Sequence, residues 1–136
     1  MKKDISPPKV ENVIVCIVKE LNDEKQEVYN VYLVNTGKTA LETVLVSSKG
    51  YIENRETGEK TVTSTLRHLL NDVEANDFAK IEPIIEDVFG LNNEYLVSYF
   101  IDGQMYDKKF IFLAESIKSS NMITVPILNK KGVVIK

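Results

Sequence analysis

The chain has 136 residues, 43% hydrophobic and 27% charged, which is enough apolar material for one core without disulfides or metal. Its 17 basic and 20 acidic residues are interspersed and sum to −3, leaving no basic stripe for nucleic acid. The longest apolar run, Val13 to Val18, is too short to span a bilayer, and the single cysteine, Cys16, excludes an internal disulfide.

The opening, MKKDISPPKV, has lysines but no apolar segment behind them. It reads as a flexible leader over 1–9, not a signal peptide, so a cytoplasmic location is the expectation. Residues 10–136 are then expected to form one domain. From Val10 to Leu21 β-branched residues dominate, as in a strand, and the unbroken run at 13–18 requires both faces to be covered. NDEKQE (22–27) is a polar turn. Glu27–Val34 and Ala40–Ser48 are the next strands. Between them, Asn35-Thr36-Gly37 reads as a register-setting turn, with Asn35 hydrogen bonding locally and Gly37 taking positive φ. A two-residue loop at Thr36-Gly37 sets Tyr29, Val31 and Leu33 beside Val44 and Val46; a five-residue loop over 35–39 sets them beside Leu41, Thr43 and Leu45. ENRETGEK (53–60) is a hairpin tip, and Thr61–Leu66 suits an edge strand.

Segment 67–91 carries two patterns. Leu66, Leu69, Leu70 and Val73 fit a short helical turn, and Phe78, Ile81, Ile85, Val88 and Phe89 a helical stripe. Pro83 opposes a continuous helix and pushes Glu82 towards extended backbone, which favours a strand around 78–86. A short helix within 67–91 is the competing expectation.

The stretch NEYLVSYFIDGQMYDKKFIFLAES is a hairpin centred on Asp102-Gly103. A two-residue loop opposes Ile101 to Gln104, Tyr99 to Tyr106 and Tyr95 to Phe110. The core face is then Tyr95, Val97, Tyr99, Ile101, Tyr106, Phe110 and Phe112. The other face is Leu96, Ser98, Phe100, Met105, Asp107, Lys109 and Ile111. The tail, NMITVPILNKKGVVIK, reads as a terminal hairpin with its loop at Asn129–Gly132 and Pro126 on an edge or bulge.

Regularly spaced strands with turn signals predict a mainly β fold, an antiparallel immunoglobulin-like β-sandwich of roughly seven to nine strands. VYLVNTGKTALETVLVSS, Val31 to Ser48, resembles the strand, Asn-Thr-Gly turn and strand of bacterial immunoglobulin-like, adhesion-related (CARDB-type) domains. Val34-Asn35-Thr36-Gly37, Ala40, Val44 and Val46 carry the likeness, and Phe110-Ile111-Phe112 suits a closing strand. The resemblance implies a non-catalytic sandwich and leaves its ligand open.

No stretch carries a catalytic signature. His68 is the only histidine, and TLRHLL around it holds no nucleophile motif. Cys16 reads as a buried thiol. Asp72, Glu74 and Asp77 with Asn71 and Asn76 begin like a calcium loop, but its twelfth position is Pro83 and its sixth is not glycine. Glu82, Glu86 and Asp87 offer paired carboxylates, without the tryptophan of a sugar platform. Neither a metal nor a cofactor is expected. Tyr32, Val34, Leu96, Phe100, Met105 and Ile111 exceed what one core needs. The terminal hairpin or the 67–91 segment could cover them; otherwise they form a surface for a protein partner or for self-association. The expectation is a non-enzymatic binding or assembly module acting through that face. The alternative is a small-ligand carrier or hydrolase-like enzyme with a pocket near 67–91, using His68, Asp72, Glu82 and Glu86.

Overall fold

Strand β1, Val13–Leu21, explains its own composition by where it sits. In the computed structural model, which describes residues 8–136, it is central in a five-stranded sheet, between the strands Glu27–Asn35 and Lys131–Ile135, with Asp77–Ile84 and Ile123–Thr124 at the two edges. Residues 1–7 of the expected leader lie outside the described residues. Val13, Val15 and Ile17 face the core between two sheets, while Ile14, Cys16 and Val18 face a second apolar cluster on the opposite side. Both faces are covered, so the run does not alternate with polar residues.

The other strands of this sheet A are β2 (Glu27–Asn35), β6 (Asp77–Ile84), β9 (Ile123–Thr124) and β10 (Lys131–Ile135). Sheet B runs β4-β3-β7-β8, from β3 (Leu41–Glu53), β4 (Lys60–Val62), β7 (Asn92–Ile101) and β8 (Gln104–Phe112). Strand β5 (Leu66–Val73) pairs with the first half of β3, on the same side as β4. The fold is therefore mainly β, with two antiparallel sheets packed as a sandwich. Val31, Leu33, Val44, Val46, Tyr95, Val97, Tyr99, Phe110 and Phe112 fill the space between them.

The Asp102-Gly103 hairpin has the expected register: Ile101 opposes Gln104, Tyr99 opposes Tyr106 and Tyr95 opposes Phe110. Asp102 and Gly103 have φ of 49° and 78°, the left-handed pair that matches strand twist in a tight hairpin. Tyr99 and Tyr106 stack with ring centroids 5.2 Å apart. The 53–60 tip also holds, since β3 ends at Glu53 and β4 begins at Lys60.

Three expectations are corrected. First, β2 and β3 do not pair; they lie in opposite sheets, so neither proposed loop register applies. Val31 and Leu33 meet Val44 and Val46 across the core instead. Asn35 makes the crossing possible. Its side chain is buried, donates Nδ2–H to the carbonyls of Thr39 (2.9 Å), Glu74 (3.1 Å) and Val73 (3.3 Å), and accepts from Gly37 N–H (3.0 Å). Gly37 does not take positive φ among the described residues; it is small because an added Cβ would sit 3.2 Å from that of Asn12.

Second, 66–73 is a strand. A bulge between Leu41 and Leu45 of β3, opposite Asn71 of β5 (φ 61°), lets Val73 re-enter the core three residues after Leu70. A second bulge lets Ile81 and Ile84 of β6 both point inward. Each bulge makes a strand imitate helical spacing. Pro83 stands on β6 at the edge of sheet A, where its missing N–H is tolerated. The helical part of 67–91 is one 3-10 turn, Glu86–Val88.

Third, the terminal hairpin is bounded by 125–130, not Asn129–Gly132. Gly132 lies inside β10, where an added Cβ would approach Ile17 O to 2.7 Å. Pro126 sits in the loop, because Val125–Leu128 leaves the ladder to cover sheet A.

Replacing Asn35 by Ala strips the crossing of its donor while leaving three backbone carbonyls enclosed. Asn35→Ala is expected to destabilise the fold by about 2–4 kcal/mol in urea titration, with the slope unchanged.

Candidate functional site

The outer face of sheet A is closed by the chain itself. Val125, Ile127 and Leu128 pack over Ile14, Cys16, Val18, Tyr32, Val34 and Val134. Val34 is fully buried there, and Tyr32 is half-buried against Phe78, with ring centroids 5.8 Å apart. These two residues of the expected partner surface are therefore a second core. Cys16 lies in it, and burial pushes its thiol up to about 12.

One carboxylate fastens this cover. Glu20 accepts hydrogen bonds from Tyr32 Oη (2.7 Å), Asn30 Nδ2 (2.5 Å) and the ammonium of Lys130, which closes the covering loop. Burial alone would raise the Glu20 carboxyl. The bonds from Lys130, Tyr32 and Asn30, with the charge of Lys130, overcome burial and hold it below its ordinary 4.5.

Among the described residues nothing covers sheet B in this way. Leu96, Phe100, Met105 and Ile111 lie on its outer face as expected, with Leu96 and Met105 exposed and Phe100 and Ile111 half-buried. Pairing brings two more leucines beside them: Leu45 opposes Leu69 of β5 on one side and Ser98 of β7 on the other. Leu45 is 47% exposed and Leu69 57%. Sequence reading missed both, because 66–73 resembled a helix and Leu45 was set, in one of the two loop registers, beside the strand Glu27–Val34. The alternation Arg67, Leu69 against Leu45, Ser47 was the available signal. The charges on the face fall in rows. Arg67, Ser47, Leu96 and Lys109 are neighbours across four strands; Glu42 aligns with Phe100 and Met105; Ser98 aligns with Asp107.

A second candidate lies between the sheets, where Thr63 and Ser64 interrupt the edge of sheet B. This cleft of about 400 Å³ is lined by Ser48, Leu66, Ile84, Val88 and Tyr95, with Glu82 at its inner wall. Glu82, from sheet A, gathers three donors from sheet B: Ser48 Oγ (2.8 Å) and His68 Nε2 (2.7 Å) on Oε1, and Tyr95 Oη (2.9 Å) on Oε2. Burial and the adjacent carboxylate push the Tyr95 hydroxyl far above its ordinary value. Ser48 and Tyr95 were not anticipated; Ser48 is an ordinary strand residue by sequence.

The arrangement is a sheet-to-sheet brace. In a nucleophilic site the histidine takes the proton of the serine. Here both serine and histidine are bound to one carboxylate oxygen. The remaining alternative candidates are dispersed. Asp72 Oδ1 accepts from Thr43 N–H (3.0 Å), Asp77 Oδ1 from Phe78 N–H (2.8 Å), and Glu86 and Asp87 are exposed. Among the described residues no three His, Cys, Asp or Glu side chains are grouped to hold a metal, and no helix is long and apolar enough to cross a membrane.

No protein-family model, curated protein or solved structure matches the chain.

Two outcomes follow for the carboxylates. Glu82→Ala leaves Tyr95 and Ser48 without their acceptor and is expected to cost about 2–4 kcal/mol by chemical denaturation, against about 1 kcal/mol for Ser48→Ala. Because the native state favours ionised Glu20, its stabilisation is complete above the ordinary carboxylate value and is lost as pH falls through the lowered native one. Hydrogen exchange at the amides of Val125 and Asn129 is therefore expected to lose protection between roughly pH 5 and pH 2, relative to core strands. Glu20→Gln should show weaker protection already at pH 7 and lack that acid-dependent loss.

Proposed function

We propose that this chain is a non-enzymatic binding or assembly module whose working surface is the outer face of sheet B. The observation that carries the reading is the unequal treatment of the two outer faces. The chain spends its C-terminal loop covering one, and leaves Leu45, Leu69, Leu96 and Met105 exposed together on the other. A solvated sheet face normally alternates to polar residues, and clustered exposed leucines mark a contact surface.

The reading takes the sandwich as immunoglobulin-like, with hairpins alternating with crossings between sheets and β9–β10 added beside β1. The likeness to bacterial adhesion-related domains is kept at that architectural level. The rival reading, a small-ligand carrier or hydrolase-like enzyme, rests on the Glu82 cleft. The sharing of one carboxylate oxygen by Ser48 and His68 argues against nucleophilic chemistry there.

The surface can be probed with a single dye. Cys16 is buried with a raised pKa, so Ser98→Cys provides the one reactive thiol, at the centre of the face. A polarity-sensitive fluorophore attached there should shift to the blue as protein concentration rises or as a soluble extract of the source cells is added. The same dye on Asp23→Cys, in the β1–β2 turn, should not respond. A fluorophore at position 98 that is indifferent to both additions overturns the reading.

A further inference from the structure

We propose that the occupant of the sheet B face is a second copy of the chain, docked face to face about a two-fold axis that runs across the strands. The inference rests on the binding-module reading and adds its partner and register. Its warrant is the order of charges and apolar groups along the strands.

Going away from the Asp102-Gly103 tip, β8 presents Met105, Asp107, Lys109 and Ile111 on this face. Strand β3 presents Glu42 at the tip end and Lys49 at the far end. A two-fold axis across the strands, between the Asp107 and Lys109 rows, reverses this order in the second copy. Asp107 then lies over Lys109 of the second copy, Glu42 over its Lys49, and Met105 over its Ile111. Each pairing occurs twice, as a closed two-fold interface requires. The alternative axis, along the strands between β3 and β7, lays Lys109 over Arg67 of the second copy, a like-charge contact, and offers one acid–base match, Lys49 over Glu94, against the two of the first axis. Charge order thus selects one axis over the other.

The contact is small. Four strands at ~4.8 Å by four rows at ~6.8 Å give about 500 Å² per copy, near the lower limit for a specific interface, so association is weak. Lys49 is available to it: its ion pair with Glu94 within the chain is loose, at 3.9 Å.

Sedimentation velocity from about 10 µM to 1 mM tests this. Wild-type protein is expected to move reversibly from monomer to dimer across that range. Lys109→Asp alone, or Asp107→Lys alone, places like charges opposite one another twice and should weaken dimerisation about tenfold or more. The two together exchange the charges in both copies and should restore it to within about threefold. Arg67→Glu should change it by less than about threefold, because this axis sets Arg67 over a leucine. All three residues concerned are exposed, so folding is preserved, and circular dichroism checks that. Failure of the double reversal to restore binding overturns the register. A wild type that stays monomeric to 1 mM overturns the second copy. If the dye at position 98 still responds to cell extract in that case, the binding-module reading survives and the occupant is a different protein.

Discussion

Six consecutive buried residues, Val13 to Val18, oblige sheet A to be covered on both sides. One side is met by sheet B. The other is met by Val125, Ile127 and Leu128, and that choice dictates the C-terminal third of the chain. After β8 the chain must cross back, form the short β9, fold a loop over the sheet and return as β10 beside β1. Ile127 takes a φ of 69°, a conformation that costs a β-branched residue on the order of 1–2 kcal/mol. Full burial of Val125, at roughly 1.5–3 kcal/mol, with partial burial of Ile127 and Leu128, outweighs it. Gly132 follows from the same constraint, since β10 passes too close to Ile17 O for any side chain.

The two sheets are tied at their margins by polar side chains. Asn35 ties the β2–β3 crossing to the end of β5, and Glu82 ties β6 to β3, β5 and β7. Each is enclosed, and each has its donors and acceptors matched, so neither is left as a desolvated orphan. That matching argues against reactivity. A carboxylate with three donors in place, and an amide spanning three carbonyls, each tie several strands at one point. The Ser-His-Glu composition around Glu82 looks chemical as a list of residue types, and its geometry joins the two sheets through one carboxylate.

Local signals were legible where the chain is regular. Asp102-Gly103 set the β7–β8 register, because a two-residue left-handed turn leaves no alternative alignment. The 53–60 tip read correctly because it too closes locally, Gly58 N–H donating to Asn54 O. Val13–Val18 announced a doubly covered strand. What could not be read was parity across a bulge. The irregularities opposite Asn71 and beside Glu82 shift alternate residues to the other face, so Leu70 and Val73, and Ile81 and Ile84, acquire spacings that belong to helices. Which sheet a strand joins was also hidden. Asn35-Thr36-Gly37 is equally good chemistry for a hairpin and for a crossing, and only the carbonyls of Val73 and Glu74, distant in sequence, decide between them. The same blindness split the expected apolar surface. Tyr32 and Val34 look no different in sequence from Leu96 and Met105, yet a loop over ninety residues away covers the first pair and not the second.

That split is what gives the remaining face its meaning. Scattered exposed leucines are ordinary on a protein surface. Leu45 and Leu69 are not scattered: they are direct cross-strand partners, one row from Leu96, on a sheet whose far side holds the aromatic core. Polar residues on that outer face would serve β7 and β8 equally well if water were the only neighbour. Glu42 and Asp107 stand towards the Asp102 tip and Arg67 and Lys109 beyond them, with the mixed row of Lys49 and Glu94 farthest away. Under the proposed reading, this order along β8, apolar at both ends and charged between, is what a complementary surface would recognise.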